Sequence, residues 1–259
     1  ALGQQIVTLA PAWAALAGAL AGIDATWPNL LRLLSVILLV EALYAVLCGP
    51  AEDSAGIVRD RIAWLPYSRP DSPSGRLARW WGRAVVARAG GSLVTLLLAG
   101  VLVGWLGQPA LWATLGLLAL GGLRASLGRL WNRLGRWVCA VAAVLIPWLL
   151  AGALFGGPRS EERLICALLY TVTRGALIDR GRLSKAPWAL ALAGLCQLAV
   201  LVALIALKRP IAAALFAVVL GAQLFIYALS RREAGEAGVA RLQLLVVAGM
   251  LLAATSLGL

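Results

Sequence analysis

Histidine is absent from all 259 residues, and that absence removes a set of chemistries at once. Without imidazole there is no His general base, no His-ligated haem and no ordinary catalytic zinc site. Acids are scarce too: 11 Asp and Glu stand against 23 Lys and Arg, and all charged residues together make up 13% of the chain. Cysteine occurs four times, at Cys48, Cys139, Cys166 and Cys196, each in an apolar run and far from the others. That spacing reads as small buried hydrophobes and not as a disulfide or metal framework. No basic stretch with a small-residue cleavage site precedes the first apolar run, so that run is expected to be its own insertion signal.

What is present is apolar side chain. Hydrophobic residues make up 62% of the sequence, and the mean hydropathy is +0.90. A water-soluble domain of this length could not hide so much apolar surface, because over half its exterior would need polar cover. A bilayer accepts helices that are apolar all round, provided every backbone group is bonded within its own segment. The expected fold class is therefore all-α: a polytopic membrane helix bundle in one transmembrane domain, 1–259.

Crossing about 30 Å of hydrocarbon takes roughly 17–25 apolar residues. About nine spans are expected, near 7–24, 29–49, 84–106, 109–124, 137–156, 161–178, 187–207, 210–229 and 239–258. Pro28, Pro109, Pro187 and Pro210 stand at or beside span starts, where a missing N–H costs little. Pro11 and Pro147 fall inside spans and should kink them. With a cytoplasmic N-terminus, 18 of the 23 basic residues fall on the inner side, leaving Arg32, Arg159, Arg163, Lys208 and Arg209 outside. This bias predicts a multi-pass protein of the inner (cytoplasmic) membrane, N-terminus in. The net charge of +12 then points to anionic lipid headgroups or an anionic substrate, and not to nucleic acid.

The one long polar stretch is the loop 50–83, expected on the cytoplasmic side, where acids and arginines interleave with Pro, Gly, Ser, Trp64 and Tyr67. Either it is a solvated loop or an ordered one that binds something. A short element in it recurs: Gly56-Ile-Val-Arg-Asp60-Arg61 after the second span matches Gly175-Ala-Leu-Ile-Asp179-Arg180 at the end of the sixth. Both sit on the same predicted membrane side, which suggests pseudo-halves 1–125 and 126–259. Either the pair anchors helices at the interface, or the two carboxylates share divalent cations that bind phosphate oxygens. Adjacent arginines would then neutralise a diphosphate directly.

From about residue 45 to 90 the chain resembles the UbiA superfamily of intramembrane prenyltransferases, in particular its chlorophyll-synthase-like branch. The family's N-D-x-x-D-x-x-x-D motif falls on Glu52 to Asp60, and its R-P-x-x-S-G-R loop on Arg69-Pro70-Asp71-Ser72-Pro73-Ser74-Gly75-Arg76, with one extra residue. The second aspartate motif falls on Thr171 to Asp179. Both motifs are degenerate: Glu52 replaces Asn, Gly56 and Gly175 replace metal-binding Asp, and Thr171 stands at an Asn position. Gln4 and Gln5 stand where the family carries an Arg at the start of its first helix.

The resemblance implies a UbiA-like helix arrangement and transfer of a prenyl group from a prenyl diphosphate to an aromatic or lipid-like acceptor. It implies Mg²⁺ as cofactor, with Glu52, Asp53, Asp60 and Asp179 as the remaining ligands and Asp60, Asp179 and Asp53 as the catalytic acids. Arg61, Arg69, Arg76, Arg180, Arg124 and Arg129 are the implied diphosphate contacts. Asp60 and Asp179 are expected to approach each other across a cytoplasm-facing cavity.

Two other readings stay open. The chain could be a UbiA-like scaffold without a metal centre, binding lipid or pigment as a subunit of a membrane complex; the loss of an Asp in each half points that way. A transporter built from two repeats should show polar residues mid-span in several helices, and besides Glu41 only Gln197 and Gln223 qualify. Glu41 itself lies mid-span, where a charge is costly, so it is either hydrogen-bonded within the bundle or faces the cavity. Most of the 11 tryptophans, among them Trp27, Trp80, Trp81, Trp105, Trp112 and Trp188, sit near span ends as an interfacial belt requires; Trp131, Trp137 and Trp148 are less obviously placed.

Overall fold

The computed structural model describes residues 10–20, 22–24, 26–48, 90–127, 131–156, 161–177, 187–230 and 236–258. Among these residues every regular element is helical. They are α1 (Ala10–Leu20), α2 (Trp27–Cys48), α3 (Gly90–Leu106), α4 (Gln108–Leu127) and α5 (Trp131–Ala140). A π-helical segment (Val141–Leu145) joins α5 to α6 (Ile146–Leu154); α7 (Glu161–Leu177), α8 (Pro187–Ala206), α9 (Pro210–Ser230) and α10 (Glu236–Gly258) follow. Because α5, the π segment and α6 form one rod, the described residues make nine rods, one in each segment expected from the sequence.

Local chemistry places several boundaries. Pro28, Pro109, Pro187 and Pro210 occupy the first or second position of α2, α4, α8 and α9, where no intrahelical partner is lost. Between α3 and α4 a single residue, Gly107, turns the chain at φ +83°, a conformation that costs a glycine little. Pro147 does not break its rod. Its missing N–H is absorbed by the preceding wide turn, in which the Ile146 N–H donates to the Val141 carbonyl, five residues back.

The core forms two clusters that share a seam. One gathers α2, α3 and α4 (Val36, Leu39, Leu43, Ala99, Leu117) onto Ala15 and Ala19 of α1 and onto Leu150 and Ala151 of α6. The other gathers α7 to α10 (Tyr170, Val200, Leu204, Phe216, Met250, Ala253) onto Ala14 and Ala17 of α1 and Trp148 of α6. Helix α1 packs on α2, α6 and α10 together, and only small side chains permit that many close neighbours. At Gly18 the approach is closest: a Cβ there would overlap the carbonyl oxygen of Trp148 and stand 3.0 Å from its carbonyl carbon.

Outside, the pattern is inverted relative to a water-soluble protein. Leu34, Leu38, Leu97, Val101, Trp105, Trp112, Leu195, Val202, Ile211, Val218 and Phe225 are exposed, while Thr171, Thr173, Gln197 and Gln223 are buried. By length and composition, two stretches suffice to cross a bilayer, Trp27–Tyr44 and Trp137–Leu154; the other described apolar helices give shorter stretches of 10–17 residues.

Candidate functional site

Four contacts, together with that of Gly18 on Trp148, establish how the rods run. The Ala12 N–H of α1 donates to Glu41 of α2 at 2.9 Å. Gly175 of α7 lies against the Trp137 indole of α5. Arg163 of α7 donates to the Leu257 carbonyl of α10 at 3.2 Å, and Gly249 of α10 faces Tyr170 of α7 and Phe216 of α9. Thus α1, the α5–α6 rod and α10 run one way, while α2, α7 and α9 run the other. The described ends at Cys48, Trp131 and Leu177 therefore share one end of the bundle, and the chain segments 49–89, 128–130 and 178–186 adjoin those ends. The opposite end carries the short turn at Gly107 and the turn at Lys208, whose φ is +56°.

Of the residues singled out from the sequence, Glu52, Asp53, Asp60, Arg61, Arg69, Arg76, Arg129, Asp179 and Arg180 lie outside the described residues. Arg124 lies in the last turn of α4, with only its backbone described. The structure does describe most of the second motif. Thr171 is buried and returns its hydroxyl to the Ala167 carbonyl at 2.7 Å, and Thr173 does the same to Leu169 at 2.9 Å. Both hydroxyls are satisfied locally. At Gly175, where the resemblance places a metal-binding aspartate, an added Cβ would stand 2.6 Å from Cζ3 of Trp137. The indole occupies that volume, so no carboxylate can stand at position 175 without displacing it. Position 175 therefore offers no ligand, and the other acids of both motifs lie outside the described residues. Among the described residues no group of three or more Asp, Glu, Cys or His could hold a metal.

Glu41 resolves toward a structural role. The second residue of α1 is Pro11, which has no N–H, and the next donor along, Ala12, bonds Oε1 of Glu41. The carboxyl of one helix thus caps the start of another, where unpaired N–H groups and the positive end of the helix dipole both favour an acceptor. Glu41→Ala is expected to lower stability by about 1–3 kcal/mol, by leaving a buried donor unpaired. Glu41→Gln, which keeps an acceptor, should retain most of it. Thermal unfolding of nanodisc-held protein checks this, and an unperturbed Glu41→Ala midpoint would refute the cap.

Three side chains near this end carry roles that their sequence positions do not announce. Trp137 packs its indole against Gly175, a contact for which a glycine in α7 is the available signal in the sequence. Tyr170 is buried and stacks on Trp148 at a centroid distance of 6.4 Å. Arg174 reads in the sequence only as one of the inner-side basic residues, yet its Nε is buried. Comparison of the chain with protein-family models, with curated proteins and with solved structures finds no match.

Proposed function

We propose that the chain is a UbiA-like integral membrane protein, with about nine spans and a cytoplasmic N-terminus, that binds a prenyl diphosphate and transfers its prenyl group to an aromatic or lipid-like acceptor. The membrane reading rests on the exposed apolar residues around the bundle, on the bias of basic residues to one side and on the apolar composition. The single observation that carries the site is the arrangement of the rods. The helix ends adjoining 49–89, 128–130 and 178–186 lie at one end of the bundle, so the segments that carry both motifs leave the described helices on the same side.

In the transfer, the C–O bond between prenyl carbon and diphosphate breaks, and the departing diphosphate keeps the electron pair. Arg61, Arg69, Arg76 and Arg180, with Arg124 and Arg129, neutralise the charge that develops on it. Asp60 and Asp179, with Glu52 and Asp53, would hold Mg²⁺, which when bound supplies further neutralisation of that charge. The apolar interior keeps water from the allylic cation until the acceptor attacks and gives up a proton.

The test is prenyl transfer by protein in nanodiscs, with radiolabelled farnesyl or geranylgeranyl diphosphate and a panel of acceptors. Asp60→Ala should reduce Mg²⁺-dependent transfer by at least roughly a hundredfold; undiminished transfer by that variant defeats the metal-assisted reading. One observation favours a second reading. The Trp137 indole over Gly175 suits a bundle whose second motif has become packing surface, which is what a non-catalytic lipid- or pigment-binding subunit of a membrane complex would show. No transfer by wild-type protein, together with co-purified lipid, pigment or partner chains, selects that reading.

A further inference from the structure

Several polar atoms lack partners in the interior, among them atoms of Thr114, Gln197 and Gln223 and two that lie one turn apart on a single face of α7. The phenol oxygen of Tyr170 and Nε of Arg174 are both buried without a hydrogen-bond partner. Residues four apart on a helix stand one above the other on the same face, and that face includes the buried Cys166 and Ala167. Helical side chains lean toward their own N-terminus, which carries the Arg174 stem back toward the turn of Tyr170. Beside them on α7, Thr171 and Thr173 bond carbonyls of their own helix. Tyr170 is not a packing accident either. It stacks on Trp148, and across from it Gly249 keeps α10 close, so that even a Cβ at 249 would lie 3.2 Å from the phenol oxygen.

A buried donor without an acceptor destabilises a fold unless a ligand supplies one. Both groups here can donate, and one is a guanidinium, so the partner they suit is an anion rich in acceptor oxygens. Arg174 lies in the last turn of α7, one residue before Gly175 and at the bundle end assigned above to the diphosphate. We infer that Arg174 is a diphosphate-binding residue, its guanidinium fork receiving the phosphate oxygens while the Tyr170 hydroxyl donates from one turn deeper. The inference rests on the function proposed above and extends it, since the second aspartate motif then contributes a cation in place of its lost carboxylate at 175.

The experiment is calorimetric titration of nanodisc-held protein with inorganic pyrophosphate and with a non-hydrolysable geranylgeranyl diphosphate analogue, with and without Mg²⁺. Wild-type protein should bind both. Arg174→Gln should weaken binding roughly tenfold or more, as expected for losing a charged hydrogen-bonding partner. Arg174→Lys, which keeps charge but not the fork, and Tyr170→Phe should each give a smaller loss. Ligand-free thermal midpoints separate binding from folding: Arg174→Gln should unfold no earlier than wild type, because it removes an unpaired buried donor. Wild-type affinity in Arg174→Gln, or in both milder variants should Arg174→Gln not fold, overturns the role of Arg174 and leaves the proposed function standing. Failure of wild-type protein to bind either ligand overturns the proposed function, and this inference with it.

Discussion

Gly18→Ala is expected to destabilise the bundle by about 3 kcal/mol, the upper range for forcing a methyl group into a packed interior. The added Cβ would overlap the Trp148 carbonyl oxygen and lie 3.0 Å from both the carbonyl carbon and the Cα of that residue. All three are backbone atoms, so no rotamer change relieves the clash. Relief requires α1 and α6 to separate, and α1 also packs on α2 and α10, so the damage would spread into both core clusters. Gly100→Ala is the control, because a Cβ there meets nothing within 4 Å; it should be neutral or slightly stabilising, since alanine favours helix over glycine. Thermal unfolding followed by tryptophan fluorescence compares the two. Equal midpoints would show that the α1–α6 contact is looser than described.

The second large effect concerns the position where the resemblance to the prenyltransferases breaks down. Gly175→Asp, which restores the family's carboxylate, is expected to cost about 2–3 kcal/mol by overpacking against the Trp137 ring. Trp137→Ala alone should also destabilise, by removing an aromatic ring that packs on α7. Combined, the two should be better tolerated than their sum by about 1–2 kcal/mol, because truncating Trp137 vacates the volume that the introduced carboxylate needs. In the double variant that carboxylate would take the volume the indole leaves, four residues before Asp179 in the sequence, and Mg²⁺ should raise its melting midpoint more than that of wild type. Strict additivity of the single effects would mean that the indole and residue 175 do not compete for space. A Mg²⁺ effect no larger than in wild type would mean that this end of α7 is not poised for a cation.

The helical segments were legible because their cause is local. Long apolar runs bounded by Pro28, Pro109, Pro187 and Pro210 must satisfy their backbone internally, and the structure places helices on each of them. The described part of the rod through Pro147 reaches back to Trp131, six residues before the apolar run at Trp137. Glu41 was recognisable as costly but not as a cap, because its partner is a backbone N–H 29 residues earlier and no pattern along the chain marks that pairing. Gly175 read as the loss of a ligand; only the fold shows that it is also the gain of a contact.

Composition and hydropathy alone pointed to helices with an apolar exterior, which the described residues have, and to a chain poor in the groups most enzymes use, since these follow from summed side-chain chemistry without reference to which helix meets which. Only the tertiary structure decided that α1 is the shared seam, that Glu41 belongs to its cap and that Trp137 occupies the space beside Gly175. It also decided that Tyr170 and Arg174 each bury a polar atom without a partner. Those outcomes depend on close approaches between residues distant along the chain, and van der Waals exclusion and hydrogen-bond pairing act on distance in space, which sequence spacing does not encode.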